Sequence, residues 1–130
     1  MILASGCFDG LSAPQVKYLE AAKRLAPREP LVVTIVPDSY IRLHKGRDPY
    51  WPQADRAVPV QALSIVDRVH VQPEGQSVPD VIRLLSPKYF VKGPEWDGAL
   101  DQEHVTACDD AGTEIRFTRN FGKHWSHVRT

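Results

Sequence analysis

The stretch that decides the fold is residues 5–19, which read Ser5-Gly6-Cys7-Phe8-Asp9-Gly10-Leu11-Ser12-Ala13-Pro14-Gln15-Val16-Lys17-Tyr18-Leu19. It predicts the end of a strand, a sharp turn and the start of a helix. Pro14 suits the first helical turn, which needs no N–H from it. Such a turn in an α/β domain directs backbone N–H groups and the helix dipole at one point, which favours a phosphate. The alternative is a plain connecting loop in which Asp9 caps the helix.

The rest of the chain alternates short apolar runs with helical patterns. The predicted strands are 2–7, 31–36, 68–71, 89–91 and 113–117, and the predicted helices are 13–25, 39–43, 55–66, 77–85 and 101–111. Pro59 falls inside one of them, so we expect that helix to start late or to kink. The alternation predicts a Rossmann-like, doubly wound, five-stranded parallel sheet of order 3-2-1-4-5 in an α/β/α sandwich. The ligand crevice then lies where strands one and four end.

The composition limits the classes of function. A chain of 130 residues is expected to form a single domain, residues 1–130. Sixteen basic and sixteen acidic residues give no net field that would favour nucleic acid. The longest clean apolar run, 31–36, is too short to span a membrane, and the first residues do not read as a signal peptide. Together with two cysteines that make no disulfide framework, this predicts a cytoplasmic protein with reduced thiols.

Two further segments carry cations to the predicted crevice. Lys45 and Arg47 flank a glycine after strand two, and Arg56 follows at the start of the next helix. These side chains are candidates to bind phosphate, although a solvated surface loop explains the same pattern. Lys92 ends strand four and is followed by Trp96, which would stack on a base, wall the pocket or cover the edge of the core.

The tail, residues 118–130, is polar and irregular. Lys123, His124 and His127 are candidates to bind phosphate or metal, but a mobile, solvated end is the better explanation of this pattern. His124 and His127 lie three residues apart with no third ligand nearby in sequence. We therefore predict no metal site.

The first turn resembles the G-[TC]-F-D-x-x-H-x-G-H motif of the cytidylyltransferase-like nucleotidyltransferases, at Gly6, Cys7, Phe8 and Asp9. The resemblance is strongest to glycerol-3-phosphate cytidylyltransferase and the heptose-phosphate adenylyltransferase domain. It extends over nearly the whole chain, through His44-Lys45-Gly46 with the downstream Asp55-Arg56, and then through Val91-Lys92-Gly93-Pro94-Glu95-Trp96-Asp97-Gly98. Arg119 and Gly122 resemble the segment before a closing I-S-T-T motif, of which Ser126 remains.

The resemblance implies transfer of a nucleotidyl group from a nucleoside triphosphate to a small phosphate, with release of pyrophosphate. It assigns catalytic positions to Lys45, Ser12 and Gln15. It assigns nucleotide or phosphate binding to Gly6, Cys7, Phe8, Asp9, Arg56, Lys92, Gly93, Glu95, Trp96, Arg119 and Ser126. Ser12 and Gln15 replace the two motif histidines, and Pro14 replaces the motif glycine. Ser12 and Gln15 donate hydrogen bonds but carry no charge, so the expected activity is reduced.

Three functions stay open at this point. The first is a divergent nucleotidyltransferase that uses CTP rather than ATP, with Mg²⁺, and acts on a small phosphate or phosphonate, with His44 or His124 standing in for a lost histidine. The second is a non-catalytic domain that binds a nucleotide or phosphometabolite. The third is a structural or partner-binding role, for which an apolar patch over the crevice would be the sign. The expected partners are nucleotide and phosphorylated metabolite, without nucleic acid or membrane, and the resemblance allows a homodimer.

Overall fold

The computed structural model describes residues 1–119. The elements, in chain order, are β1 (Ile2–Gly6), α1 (Ala13–Leu25), β2 (Leu31–Ile35), α2 (Asp38–Lys45), α3 (Gln53–Gln61), β3 (Arg68–Val71), α4 (Val78–Leu85), β4 (Tyr89–Lys92), a 3-10 turn (Pro94–Trp96), α5 (Gln102–Ala111) and β5 (Glu114–Phe117). Within this part of the chain, none of the helices combines the length and apolar character that a bilayer crossing requires.

The five strands form one parallel sheet of order β3-β2-β1-β4-β5, which confirms the predicted architecture. The central strand β1 pairs with β2 from Ile2 opposite Leu31 to Gly6 opposite Ile35, and on its other side with β4. Because all strands run the same way, their carboxyl ends meet at one edge of the sheet. Successive strands are added on one side of β1 up to β3 and on its other side from β4 onward. The ligand crevice of such sheets lies at this switch point, between β1 and β4.

Helices cover both faces of the sheet. On one face, α1 and α3 pack against β1 and β2 through a cluster that includes Tyr18, Leu19, Val60 and Val33. On the other face, α2, α4 and α5 cover a second cluster that includes Ile41, Ile82, Phe90 and Cys108. Strands β1, β2 and β4 are apolar on both sides because they lie between these two layers.

The predicted element positions hold to within a few residues except at α3. The expected late start is wrong: α3 begins at Gln53 and ends at Gln61, five residues before the predicted end. Pro52 O accepts the backbone N–H groups of Asp55 and Arg56 at 2.9 and 3.0 Å, which closes the first turn early. Pro59 remains inside the helix and cannot donate to the Asp55 carbonyl, but Asp55 lies on the exposed side, where water can serve that oxygen.

Candidate functional site

The turn between β1 and α1, residues 7–12, owes its sharpness to two residues with positive φ. Phe8 has φ 48° and Gly10 has φ 96°, and Gly10 N–H donates to Phe8 O at 3.0 Å. Glycine adopts such angles freely, whereas they are unusual for a bulky side chain. Phe8 is nevertheless fully buried in the core, and this burial holds the strained backbone in place.

Asp9 fixes the loop after α2 to this turn. Its Oδ2 accepts from Arg47 Nη1 at 2.8 Å and from Tyr50 N–H at 2.9 Å, and its Oδ1 accepts from Trp51 N–H at 3.0 Å. Burial alone would raise the pKa of this carboxyl, but the three hydrogen bonds outweigh it and hold the pKa below its usual value. Both Asp9 oxygens therefore serve the loop, and the arginine guanidinium rests 4.0 Å from the centre of the Tyr50 ring.

Arg56 lies inside the protein. Its side chain is 0% exposed, and each of its three nitrogens donates: Nε to Trp51 O at 3.1 Å, Nη1 to Cys7 O at 2.8 Å and Nη2 to Asp38 Oδ1 at 2.7 Å. These bonds join α3 to the end of β1 and the start of α2. The structure thus places Arg56 at the crevice but commits all three nitrogens to the protein's own acceptors.

The N-terminus of α1 carries Ser12 and Gln15, the residues at the predicted catalytic positions. Gln15 Oε1 accepts the Ser12 N–H at 2.9 Å, so this side chain folds back and caps its own helix. Ser12 Oγ completes the capping-box arrangement but has no partner at full hydrogen-bond geometry, and it is shielded from solvent. Neither side chain brings positive charge to the site.

Lys92 ends β4 on the face that α5 covers. The residue is only 8% exposed, its Nζ donates to Ser5 Oγ at 3.3 Å, and it lies 4.9 Å from the centre of the Trp96 ring. Burial lowers the pKa of this amine to about 8, against the attraction of Cys7 and Glu95. The Glu95 carboxylate lies against Gly93, where a Cβ would meet its Oε2 at 2.6 Å.

The Cys7 thiol is influenced by the charges of both lysines of the site. Burial raises the pKa of this thiol, while the positive charges of Lys45, Arg56 and Lys92 oppose that rise. Tyr40 of α2 is close enough that the Cys7 charge contributes to raising the phenol pKa, after burial. Lys45 itself is exposed in the last turn of α2 and forms no hydrogen bond or ion pair within residues 1–119.

The histidines of the described chain lie away from the start of α1. The His44 ring lies tilted against Tyr40, with the ring centres 4.1 Å apart, and Tyr40 packs on the face of α2, α4 and α5, opposite to α1. His104 of α5 stacks on Phe90, and its Nδ1 is buried without a partner; burial and then Lys92 lower its pKa. Arg119 is exposed just beyond β5, and His124 and Ser126 lie outside the described residues.

A groove of about 340 Å³ opens on the other side of the β1–α1 turn. It is lined by Phe8, Gly10, Trp51, Asp55, Arg56, Val58 and Pro59, and Trp51 is 56% exposed. Of the predicted site residues within 1–119, Phe8 and Arg56 line it. In the described part of the chain, no group of three or more His, Cys, Asp or Glu side chains is placed to hold a metal ion.

The model of one protein family matches residues 3–120, and its description is cytidylyltransferase-like. The chain belongs to this family. Membership confirms the family resemblance, and the match covers the five strands except for the first residue of β1. It establishes the family of nucleotidyltransferases but not the nucleotide that this chain uses.

Curated relatives in the same family include two kinds of enzyme. The FAD synthase of Thermococcus onnurineus is 34% identical over 94 residues, which is 72% of this chain and 61% of that protein. The bifunctional protein HldE of Streptomyces coelicolor is 40% identical over 101 residues, which is 76% of this chain but 21% of that protein. The chain therefore spans less than two thirds of the length of these relatives.

Solved structures share the fold. A lipopolysaccharide core biosynthesis protein from Thermoplasma volcanium aligns with a TM-score of 0.77 at 24% identity, covering 93% of this chain and 97% of that one. A protein of unknown function from Archaeoglobus fulgidus aligns with a TM-score of 0.66 at 17% identity. At these identities the likeness concerns the arrangement of sheet and helices alone.

Three residues of the site were not found from sequence. Tyr40, His104 and Ser5 all lie near Cys7 or Lys92, yet none stands in a motif. The alternation of side chains along a strand places Ser5 and Lys92 on one face once their strands are known to be neighbours. Tyr40 and His104 come from helices, and their approach follows only from how α2 and α5 pack.

Proposed function

We propose that this protein binds a nucleoside triphosphate and a small phosphate monoester or phosphonate at the crevice between β1 and β4, and slowly transfers the nucleotidyl group between them. One observation carries the proposal: the turn and the N-terminus of α1 face the carboxyl edge of the sheet, where the buried Lys92 donates to the neutral Ser5 Oγ and Lys45 is exposed at the end of α2. Both the helix dipole and the lysines favour polyanions.

The transfer needs positioning and charge neutralisation rather than a covalent intermediate on the protein. An acceptor phosphate oxygen attacks the α-phosphorus, a new P–O bond forms, and the bond to the β-phosphate breaks with its electron pair leaving on pyrophosphate. The nucleophile is already anionic, so no general base is required. In this chain the α1 N–H groups would receive phosphate oxygens, and Lys45 would offset the charge that develops.

Magnesium would bind as a complex with the nucleotide rather than at a site formed by protein ligands. The described residues supply no cluster of three metal-ligating side chains, and both Asp9 oxygens already accept hydrogen bonds from the neighbouring loop. Mg²⁺ commonly keeps several waters and binds through substrate phosphates, which suits such a site.

We expect turnover of the proposed nucleotidyl transfer to be slow. Loss of one charge-stabilising donor typically lowers turnover about 100- to 1,000-fold, and both imidazoles are missing here. The Gln15 oxygen caps its own helix, which favours a second candidate, a domain that binds nucleotide without transferring it. The two candidates differ in pyrophosphate release, not in binding.

The nucleotide is the next choice to test. The sequence resemblance favours CTP. The relatives named FAD synthase make a product that contains adenine, so every assay should compare ATP with CTP. Calorimetric titration with CTP, ATP, CMP and CDP, with and without Mg²⁺, measures the preference. Failure of all four to bind would remove both candidates and favour a structural or partner-binding role.

Repair of the motif separates a slow enzyme from a binding domain. The triple change Ser12→His, Pro14→Gly and Gln15→His returns two imidazoles to one helix face and an N–H to the turn. We expect pyrophosphate release with glycerol 3-phosphate as acceptor to rise about 100-fold, short of full recovery because the segment at Ser126 also departs from the family motif. Ser12→Ala with Gln15→Ala is the matched control without imidazoles. If the folded triple variant gains neither turnover nor nucleotide affinity, the crevice is not a nucleotide site.

We also propose that the protein works in the cytoplasm, where nucleoside triphosphates are available, and that it forms a homodimer. Sedimentation velocity over a concentration series tests the dimer. A single monomer boundary at every concentration would contradict it.

A further inference from the structure

An exposed apolar surface adjoins the groove beside the β1–α1 turn. It consists of the groove residues Trp51, Asp55, Val58 and Pro59 together with Tyr50, and we call it the α3 patch. Three of the seven large apolar side chains that are exposed within residues 1–119 belong to it, and each of the three is more than half exposed. Exposed apolar side chains that cluster in this way mark a site of interaction.

The fold holds the two aromatic residues of the α3 patch in place. Asp9 Oδ1 accepts the Trp51 N–H at 3.0 Å, and Arg56 Nε donates to the Trp51 carbonyl at 3.1 Å. The Tyr50 N–H donates to Asp9 Oδ2 at 2.9 Å, and the Arg47 guanidinium lies 4.0 Å from the Tyr50 ring centre. Both exposed residues are thus ordered before any partner arrives, which lowers the entropic cost of binding.

Asp55 gives the α3 patch an unmet negative charge. Its carboxylate is exposed and forms no ion pair or side-chain hydrogen bond within residues 1–119. Its main-chain carbonyl lacks the usual helical donor, because residue 59 is proline. Arg56 also lines the groove, but it donates through all three nitrogens to other acceptors. The groove is therefore complementary to a cation that lies next to an apolar group.

We propose that the α3 patch is a docking surface for a short segment of another protein in which an arginine or lysine lies beside an apolar residue. The apolar side chain would enter the groove of about 340 Å³ against Val58 and Pro59. The basic side chain would lie on the Trp51 ring and pair with Asp55. Neither Lys45 nor Lys92 lines the groove, so this docking does not require the proposed transfer reaction.

Two observations favour a protein segment over a small ligand and over a second copy of this chain. The groove is close to the lower limit of small-molecule pockets, about 300 Å³. A ligand confined to it would leave Tyr50 uncovered, because Tyr50 is not part of its lining. A second copy docked about a twofold axis would present the α3 patch to itself. The neighbouring arginines are already bound to Asp9 and Asp38, so such a contact offers Asp55 no cation from the groove.

The test uses the capped peptide acetyl-Ala-Leu-Arg-Ala-amide and two altered forms of it. One form carries citrulline in place of arginine, which keeps the shape without the charge, and the other carries serine in place of leucine. Binding to the full ¹⁵N-labelled chain is followed by NMR, with the Trp51 indole and the Gly10 amide as reporters of the groove. We expect the arginine peptide to move both signals and to bind at least about threefold more tightly than either altered form. Added salt should weaken its binding, because the ion pair is exposed.

Variants of the patch locate the interaction. Asp55→Asn should abolish the preference for arginine over citrulline without loss of stability, because the carboxylate has no partner within residues 1–119. The matched control is Asp109→Asn, because Asp109 is an exposed carboxylate of α5, on the opposite face of the sheet. Trp51→Ala keeps the backbone bonds to Asp9 and Arg56 and should weaken binding about tenfold. Circular dichroism checks that each variant folds.

Five outcomes would overturn the proposal. The first three are no binding of the arginine peptide to the folded wild type, equal binding of all three peptides, and an equal effect of Asp109→Asn and Asp55→Asn. Benzylamine that binds the groove as tightly as the peptide would assign it to a small amine instead. Self-association of the wild type that Trp51→Ala abolishes in sedimentation velocity would assign the α3 patch to a second copy of this chain.

Discussion

The two sides of the crevice use their cations in opposite ways. On the side of β2 and α3, Arg47 donates through Nη1 to Asp9 and to the Asp48 carbonyl, and Arg56 donates through all three nitrogens to Asp38 and two backbone oxygens. These bonds hold the turn and the next loop together. At the end of β4, Lys92 is buried and donates to the neutral Ser5 Oγ, and at the end of α2, Lys45 is exposed to solvent. A planar guanidinium group with several donors can link distant segments of the fold. A lysine whose burial costs folding free energy is better suited to bind a ligand. The sign of a stability change should therefore distinguish the two sides.

The largest effect is expected from Arg56→Met. It leaves the Cys7 and Trp51 carbonyls and the Asp38 carboxylate without their donor, and should lower the free energy of unfolding by about 3–5 kcal/mol. Urea unfolding monitored by circular dichroism measures this. Arg56→Lys, which keeps the charge but not the three-pronged geometry, should recover only a small part. A stable Arg56→Met variant that has lost nucleotide binding would instead assign Arg56 to the ligand.

A smaller loss, about 2–3 kcal/mol at neutral pH, is expected from Asp9→Asn, since the Asp9 side chain is 4% exposed and accepts three hydrogen bonds. Its folded pKa lies below the usual value, so the unfolded chain binds the proton more readily. The carboxylate's contribution is thus present above the unfolded pKa of about 4 and is lost as pH falls through the lower folded pKa. Unfolding curves of wild type and Asp9→Asn should converge in acid; a constant gap down to low pH would contradict this account.

Lys92→Met should have the opposite sign. Removing the buried amine should stabilise the protein at pH 7 by on the order of 2 kcal/mol, while phosphate binding falls. The folded pKa of about 8 lies below the ordinary 10.5, so between these values the unfolded chain binds more protons. Wild-type stability should therefore rise with pH across this window and approach that of Lys92→Met. A variant less stable than wild type would show that Lys92 is a structural cation like Arg56.

The smallest change in stability is expected from Lys45→Met. The side chain is exposed at the end of α2 and makes no hydrogen bond or ion pair in the part of the chain described, so thermal unfolding should not move measurably. Phosphate affinity should fall by less than for Lys92→Met, because solvent and salt screen an exposed charge. Clear loss of stability without loss of affinity would place Lys45 among the structural cations.

Much of this arrangement could be predicted from the sequence because it depends on local patterns. The extent of α1, its N-terminal Pro14, the Ser77 cap of α4 and the Gly112 end of α5 each follow from residue preferences within one or two turns. The predicted late start of α3 was wrong. Pro59 suggested a late start, but the Pro52 carbonyl sets the first turn, and an exposed helix face tolerates the missing hydrogen bond.

By itself, the sequence determined the parallel sheet, its strand order, the position of the first turn and the set of cations that reach the carboxyl edge, because periodicity, turn residues and the handedness of crossovers are local or topological. Only the tertiary structure decided which cations remain available. In the sequence, Arg56 and Lys92 look alike as basic residues predicted to reach the crevice. The first meets three acceptors from distant segments, and the second meets one hydroxyl and an indole. Hydrogen-bond saturation and burial depend on packing between segments far apart in the chain, and no local pattern specifies them.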